Sequence, residues 1–357
     1  MERNGGLYTI FIKYDNLTYL EIFLTKGSIL YFMISKRRIM EQLTDLKAIL
    51  HSKRANIYYL EKCRVMQKDG RVLYLTEAKK EYQYFNIPIA NTTCLLLGTG
   101  TSITQASMRM LASAGVLVGF SGGGATPLFM GTEIEWMTPQ SEYRPTEYIQ
   151  GWMQFWFDDV KRLETARRFQ VERIGFLKKV WSKDKGLKEK GFDVNENILV
   201  EMLDNTLEQI TDAYNVNKLL TIEAELTKKL YKYAAKKTGQ LGFTREHNNA
   251  DIANIFLNHG NYLAYGLGAT TLWTLGIPHG FAVMHGKTRR GALVFDVADL
   301  IKDAIVLPWS FVCAKENMNE NEFRTQVLQK FVEHKALDFM FDEVKKASMY
   351  YKGDKED

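Results

Sequence analysis

The sequence contains little cysteine, and the few cysteines form no recognisable pattern. Cys63, Cys94 and Cys313 are spread over 357 residues without CxxC spacing. An odd number of widely separated cysteines favours neither a disulfide framework nor a zinc finger. The pattern therefore predicts reduced thiols and a cytoplasmic location.

Long apolar runs are also missing. In the N-terminal region the longest run is Ile29–Ile34, much shorter than the about 20 residues that a membrane-spanning helix needs. Lys13, Asp15 and Glu21 interrupt the first segment, and no small-residue cleavage site follows an apolar core. We therefore expect neither a signal peptide nor a membrane partner.

Positive charge is concentrated in one segment. The whole chain has a formal net charge of +5, whereas residues 161–190 contain eleven basic and four acidic side chains and alone carry +7. This asymmetry is typical of a phosphate-binding surface, and it makes Arg167, Arg168 and Arg173 candidate DNA contacts. A solvated helix face is the alternative that charge alone leaves open.

The order of the patterns predicts an α+β chain, in which a β-rich N-terminal domain precedes an all-α C-terminal domain. The predicted segments are an extension (1–39), a β-rich domain (40–130), a linker (131–146), an all-α domain (147–345) and a charged tail (346–357). The extension is either an additional hairpin or upstream sequence attached through a mistaken start codon, with Met40 as the true initiator.

Two strands and a tight turn are predicted within the β-rich domain. Asn56–Leu60 and Val72–Thr76 are rich in β-formers. The Asp-Gly pair at positions 69 and 70 lies between them and is a strong hairpin signal. The sequence therefore predicts a β-hairpin in this region.

A glycine-rich turn, Gly98-Thr99-Gly100, precedes a helix predicted for residues 102–113. Phosphate-binding loops have this general arrangement, but the Lys-Ser/Thr ending of a Walker loop and the GxGxxG spacing are both missing. Thr101 or Ser102 as an ordinary helix N-cap explains the turn without a ligand.

The segment Lys218–Lys237 predicts an amphipathic helix with two glutamates of different character. Glu225 lies on a lysine-rich side and has Lys229 four residues on, so we expect it at the surface. Glu223 lies at the edge of the apolar stripe, in line with Thr227, where a carboxylate needs a partner. A metal ion is one such partner, and a hydrogen-bonded glutamate is the alternative.

A histidine loop and an acidic pair follow. His279 and His285 each precede a glycine, which leaves the imidazole accessible as a ligand or a general acid. Asp296 and Asp299 resemble an N-cap and a first-turn carboxylate of a helix. Alternatively, both carboxylates project from one helix face beside the histidine loop.

Glutamate, histidine and aspartate together form a mixed oxygen and nitrogen ligand set that suits Mn²⁺ and is tolerable for Mg²⁺. Three cations, Lys287, Arg289 and Arg290, lie between His285 and Asp296 in the sequence. Such cations would hold a DNA phosphate backbone near the metal.

Longer motifs make the sequence recognisable. They are His51–Asn56, Leu97–Thr104, Leu111–Gly124, Thr138–Pro145, Phe256–Tyr262 and Gly276–Asp299. In these stretches the chain resembles the CRISPR-associated endonuclease that integrates new spacers, the first of the numbered Cas proteins, and within that family the I-F subtype. The match spans about Met40 to the C-terminus, which favours the mistaken-start interpretation of residues 1–39.

The resemblance implies site residues at matching positions. In the family, the metal glutamate follows an apolar residue and precedes a tyrosine by eight positions, as Glu223 precedes Tyr231. The metal histidine precedes a glycine, like His285, and acidic residues follow at eleven and fourteen positions, here Asp296 and Asp299. The resemblance therefore implies four catalytic residues, of which Glu223, His285 and Asp299 bind Mg²⁺ or Mn²⁺ and Asp296 supports them. Where the family often has glycine after the glutamate, this chain has alanine, with little consequence for the carboxylate.

The resemblance also implies partners and a reaction. The partners are double-stranded DNA (a protospacer and the CRISPR repeat), a second copy of the chain joined through the β-rich domain, and a small second Cas subunit fused to the Cas helicase-nuclease. The reaction is a transesterification in which a DNA 3′-OH attacks a phosphodiester of the repeat. Two alternatives stay open: a metal-dependent nuclease that acts on branched DNA in repair, and a catalytically silent DNA-binding scaffold.

Overall fold

The structure is a computed structural model. It describes residues 56–78, 81–121, 135–137, 146–246, 251–286 and 291–351, together with three strands within residues 1–50. The chain divides into two compact units, residues 1–50 and 51–357. In the first unit, β1 (Tyr8–Lys13), β2 (Thr18–Thr25) and β3 (Ser28–Ser35) form an antiparallel sheet. The interpretation of residues 1–39 as an extension of the coding sequence stays a prediction.

The second unit begins with two small sheets and one helix. Their elements are β4 (Asn56–Leu60), β5 (Cys63–Lys68), β6 (Arg71–Ala78), β7 (Glu81–Ile87), β8 (Thr92–Leu97), β9 (Ser102–Ile103), α1 (Gln105–Ser113), β10 (Leu117–Phe120) and β11 (Glu135–Met137). One sheet has the strand order β11-β10-β8-β4, and the other has the order β7-β6-β5-β9.

The predicted hairpin turn is present, but it joins different strands. Asp69 and Gly70 both have positive φ, 50° and 73°, as the two central residues of a tight hairpin turn require. The turn connects β5 to β6, with Lys68 opposite Arg71. Pairing Asn56–Leu60 across this turn was wrong, because that strand is β4 and pairs in parallel with β8.

Helix α1 begins later than predicted. Its N-cap is Thr104, whose side chain accepts the backbone N–H of the residue three positions on, whereas the predicted caps, Thr101 and Ser102, precede it. In the glycine turn before the helix, Gly98 packs closely against the side chain of Tyr59. A Cβ at Gly98 would overlap the hydroxyl of Tyr59, so the structure accounts for that glycine without a phosphate.

The rest of the second unit is helical. Its helices are α2 (Glu147–Trp156), α3 (Asp159–Lys183), α4 (Lys185–Glu189), α5 (Asn197–Asp212), α6 (Val216–Thr238), α7 (Ile252–Leu275), α8 (Ala292–Ile301), α9 (Leu307–Lys315), α10 (Glu320–Glu333) and α11 (Ala336–Tyr350). A π-helical segment, Lys302–Val306, joins α8 to α9. The prediction of an α+β chain with a β-rich part followed by a helical part is confirmed.

Sheet and helices share one core. Cys94 and Leu96 of β8 belong to the same buried cluster as the helical residues, and Gly266 of α7 lies beside the Sγ atom of Cys94. Trp152 and Phe155 of α2 are fully buried in that cluster. The site described below is therefore built on helices that are fixed by a continuous core.

Some predictions lie partly outside the described residues. Within the predicted linker, residues 135–137 form β11, which pairs with β10; the domain boundaries stay predictions. The cysteines, all three of which lie in described segments, are buried and free. Among the helices of the described part of the chain, none combines the length and apolarity that crossing a bilayer requires.

Candidate active site

Four charged residues lie within eight positions on one continuous helix. They are Asp296 and Asp299 on α8, and Lys302 and Asp303 on the π-helical segment. Helix α8 begins after Gly291, which adopts a left-handed φ of 75°. The prediction that Asp296 caps the helix is therefore wrong, because the helix starts four residues before it. π-Helical turns inside helices occur frequently at functional sites.

Asp296 holds the histidine loop from inside the helix. Its Oδ2 accepts the backbone N–H groups of Val283 at 2.7 Å and Met284 at 3.1 Å, and its Oδ1 accepts that of His285 at 3.0 Å. The carboxylate is 1% exposed. Three consecutive amides thus converge on one buried carboxylate, which fixes the backbone of this loop.

The same carboxylate orients the His285 ring. Nδ1 of His285 lies 2.7 Å from Oδ1 of Asp296, and Nε2 lies 3.8 Å from Oδ2 of Asp299. Burial lowers the pKa of His285, but the hydrogen bond to Asp296 and the charge of Asp299 outweigh it, and the net shift is upward. In the neutral ring, a proton on Nδ1, donated to Asp296, leaves the Nε2 lone pair on the side of Asp299.

Asp299 is buried and paired with a lysine of the next turn. Its Oδ1 forms an ion pair with Nζ of Lys302. Burial raises the pKa of Asp299, but Lys302, His285 and Arg173 together lower it below its ordinary value. The ionised carboxylate therefore persists at neutral pH although it is almost inaccessible to water.

Glu223 on α6 is half-buried and receives two donors. Its Oε1 accepts Nη1 of Arg173 at 2.9 Å and the hydroxyl of Thr227 at 3.2 Å. Arg173 also donates Nε to Oδ2 of Asp303 at 2.7 Å. Glu223 and Asp299 both act electrostatically on Lys302 and on Arg173, so the loop, α3, α6 and α8 contribute to one charged cluster. Burial raises the pKa of Asp303, and Arg173 opposes this shift.

Several predicted DNA contacts have other surroundings. Arg173 is 2% exposed and lies inside the charged cluster, so in this structure it cannot reach a phosphate at the surface. Arg167 donates Nε to the carbonyl oxygen of Ala213 at 3.0 Å, and the guanidinium of Arg168 stacks on Tyr350. Both are only partly exposed. Lys287, Arg289 and Arg290 lie outside the described residues.

The predicted ligands are neighbours without forming a closed ligand set. The ligand atoms of Glu223, His285 and Asp299, all of them described, do not come within 4.8 Å of one another as a group of three. Arg173 and Lys302 instead pair with the carboxylates. Among described residues a different group, Asp184, Glu333 and His334, has ligand atoms that close together.

That second group is better explained as a structural hub. The carboxylate of Asp184 is fully buried and accepts from Lys330 at 3.1 Å, from the backbone of Leu187 at 3.2 Å and from Trp309 at 3.3 Å, with His334 at 3.0 Å. Burial raises the pKa of Asp184, but the hydrogen bonds lower it to about 2. A carboxylate so occupied by donors, one of them a lysine, has no place for a cation.

The composition of the charged cluster around Glu223, His285 and Asp299 fits a divalent cation. It contains four carboxylates and two permanent cations, namely Glu223, Asp296, Asp299, Asp303, Arg173 and Lys302. With His285 neutral, as a metal-binding imidazole is, these groups in their ionised forms leave two negative charges uncompensated, which matches one divalent ion. An imidazole fixed through Nδ1 by a carboxylate is the usual arrangement of a metal-binding histidine.

Lys302 and Asp303 were missed as site residues, and Arg173 was assigned to DNA contact rather than to this cluster. Lys302 and Asp303 follow Asp299 at three and four positions, which is the spacing of neighbours on a helix. Arg173 lies on the apolar spacing of α3, together with Phe169 and Leu177. The high density of charge in residues 161–190 masks this apolar spacing in the sequence.

The fold and the site define a class: an α+β protein whose helical part carries a buried carboxylate and histidine cluster. The family described as CRISPR associated protein Cas1 matches residues 57–345, and the chain belongs to it. The protein named CRISPR-associated endonuclease Cas1 from Pseudomonas aeruginosa is 54% identical over 308 residues, which cover 85% of this chain and 95% of that protein.

Solved structures share the fold. A Cas1 protein from Thermotoga maritima aligns with a TM-score of 0.66 at 16% identity, over 84% of this chain and 97% of its own. A casposase bound to integration product aligns with a TM-score of 0.64 at 15% identity, over 85% and 92%. A TtCas1–DNA complex aligns with a TM-score of 0.55 at 20% identity, over 82% and 90%.

Proposed function

We propose that this chain is a metal-dependent DNA endonuclease and integrase of CRISPR adaptation, which joins the 3′-OH ends of a short duplex protospacer to the repeat. The observation that carries the proposal is His285, whose Nδ1 is fixed by Asp296 and whose Nε2 faces Asp299. Family membership supports it, as does the similarity to a protein named as an endonuclease and to a casposase bound to integration product.

Glu223, His285 and Asp299 would hold Mg²⁺ or Mn²⁺, since the set combines hard oxygen ligands with one imidazole. When bound, such an ion polarises a phosphoryl oxygen and neutralises charge in an in-line displacement. Asp296 keeps the histidine in the required tautomer and orientation. Lys302 and Arg173 lower the pKa of Asp299, so this carboxylate is ionised at neutral pH.

The nucleophile is supplied by the DNA. In a transesterification the 3′-OH of one strand attacks a phosphodiester, so the protein needs no covalent nucleophile of its own. The thiol of Cys94 is fully buried, and burial raises its pKa, which makes it inert. The chemistry therefore rests on charge and positioning within the helical part of the chain.

DNA contacts in the basic segment are proposed at exposed lysines rather than at its arginines, which are buried or only partly exposed. Lys179, Lys183, Lys185 and Lys188 are exposed. Reversal of these charges should weaken DNA binding and reduce its salt slope by about one for each phosphate that the variant no longer neutralises. The finding of a TtCas1–DNA complex with this fold supports a DNA partner. We further propose a homodimer joined through the β-rich domain, a second Cas subunit and a cytoplasmic location.

A joining assay tests the proposal. A labelled duplex is incubated with a repeat-containing plasmid, the full-length chain, the second Cas subunit, and Mg²⁺ or Mn²⁺. Glu223→Gln, His285→Ala and Asp299→Asn should each abolish joining, whereas Glu225→Gln, an exposed glutamate on the same helix, should not. Full joining by Glu223→Gln would contradict the assignment. Cleavage of branched DNA without any joining by the wild type would favour the repair nuclease instead.

A further inference from the structure

Arg173 connects the proposed metal glutamate to a second buried carboxylate. All three guanidinium nitrogens are engaged: Nη1 with Gln170 and Glu223, Nη2 with Thr227, and both Nε and Nη2 with Asp303. The residue is 2% exposed. An arginine in such surroundings is held in one orientation by its fork of donors.

We infer that Arg173, held by Asp303, is a positioning residue that fixes the carboxylate of Glu223 for a divalent cation; this inference rests on the proposed function. Within the described part of the chain, the hydrogen bonds to Glu223 end on Oε1. The second oxygen, Oε2, therefore keeps its lone pairs for a ligand.

Asp303 explains how a cation can lie beside a metal ligand without repelling the metal. Arg173 alone would cancel the charge of Glu223 and weaken the attraction for a cation. The ion pair between Arg173 and Asp303 offsets the positive charge of the guanidinium. The group of Glu223, Arg173 and Asp303 therefore keeps a net negative charge, and the carboxylate of Glu223 is held in one orientation. The Arg173–Asp303 pair thus orients Glu223 with little loss of attraction for a cation.

A lysine would not replace the arginine. Its single ammonium is a point charge with three donors, whereas the planar guanidinium reaches Glu223, Thr227 and Asp303 at fixed angles. Asp303 lies on the π-helical segment and Arg173 on α3, so the position of the fork is set by the packing of two helices. Glu223 lies on a third helix, α6, and its carboxylate is oriented by this fork.

The experiment measures Mn²⁺ binding, followed by the electron paramagnetic resonance signal of the free ion, with the full-length chain and without DNA. Arg173→Lys preserves the charge and removes the fork. Loss of a partner that orients a ligand weakens metal affinity about 10- to 100-fold, so we expect about a tenfold rise in the Kd for Mn²⁺. Arg162→Lys is the matched control, because Arg162 is also buried on α3 and also pairs with an aspartate, Asp159.

A double variant separates positioning from folding. Arg173→Gln with Asp303→Asn removes one charge of each sign and avoids an isolated buried charge, so its unfolding midpoint should stay near that of Arg173→Lys. Mn²⁺ binding should remain about tenfold weaker. If the double variant regained wild-type affinity together with stability, Arg173 would have only a structural role.

Each outcome decides a different point. Weak binding by Arg173→Lys with normal binding by Arg162→Lys supports the inference. Equal loss in both, or wild-type binding by Arg173→Lys while Glu223→Gln binds weakly, overturns it. Wild-type binding by Glu223→Gln overturns the proposed metal site itself, and the inference with it.

Discussion

Replacement of Asp296 by alanine should destabilise the chain even when no metal is present. The carboxylate accepts three consecutive backbone N–H groups, and the two that belong to Val283 and Met284 are in buried residues. A buried donor left without an acceptor costs about 1–3 kcal/mol. Two such donors give roughly 2–6 kcal/mol. We therefore expect Asp296→Ala to lower the free energy of unfolding by about 4 kcal/mol.

Equilibrium unfolding in urea with EDTA present measures this cost. Asp158→Ala is the control, because Asp158 likewise accepts backbone N–H groups, those of Val160 and Lys161, but in an exposed helix cap. Loss of an exposed cap costs about 1 kcal/mol. The difference of about 3 kcal/mol between the variants reports the buried surroundings of Asp296, including its contact with the His285 ring.

The result also decides what Asp296 does. If Asp296 acted only as a ligand to a second metal ion, its removal would leave the metal-free chain about as stable as the wild type. A cost for Asp296→Ala no larger than that for Asp158→Ala would refute the structural reasoning. A large cost in EDTA, with loss of joining activity, would show that the loop carrying His285 depends on this carboxylate.

Three further predictions concern packing, acid stability and a helix cap. Gly151→Ala should lower the free energy of unfolding in urea by about 2–3 kcal/mol, because the new Cβ would overlap the carbonyl oxygen of Ser348. Gly175→Ala is the control: its Cβ would meet only a glutamate oxygen at 3.9 Å, so this substitution should be neutral or stabilising. The pKa of Asp184 is lowered to about 2, so this group stabilises the fold above its ordinary pKa and the contribution is lost as the pH falls towards 2. Wild type should therefore lose about 2 kcal/mol more than Asp184→Asn between pH 5 and pH 2; equal losses would contradict the assignment. Asn319→Ala removes a capping box and should lower the stability by about 1 kcal/mol in thermal unfolding.

Helix phase was predictable where one face is apolar and the other charged. On α6 the sequence placed Glu225 outside and Glu223 at the edge of the stripe. In the structure Glu225 is exposed and Glu223 is 17% exposed. Ile222 and Leu226 on the stripe are buried. The period of 3.6 residues fixes this arrangement before any tertiary contact is known.

The start of α8 and the surroundings of Arg173 were not predictable in the same way. Asp296 resembled an N-cap because aspartate is favoured there, but its partners are amides of a loop eleven to thirteen residues earlier. Arg173 was taken for a surface charge because its carboxylate partners, Glu223 and Asp303, are 50 and 130 residues away in the chain. Local propensity carries no information about such contacts.

The electrostatic design of the site follows from where its charges originate. Asp299 and Lys302 are close in sequence and form a local pair, whereas Arg173 reaches Glu223 and Asp303 only because α3 packs against α6 and the π-helical segment. A local pair forms whenever the helix forms. A pair between helices forms only when the core around it is complete, because an isolated buried charge is costly. The orientation of Glu223 is therefore a property of the folded core, and the site acquires its geometry and its excess of negative charge in the same step.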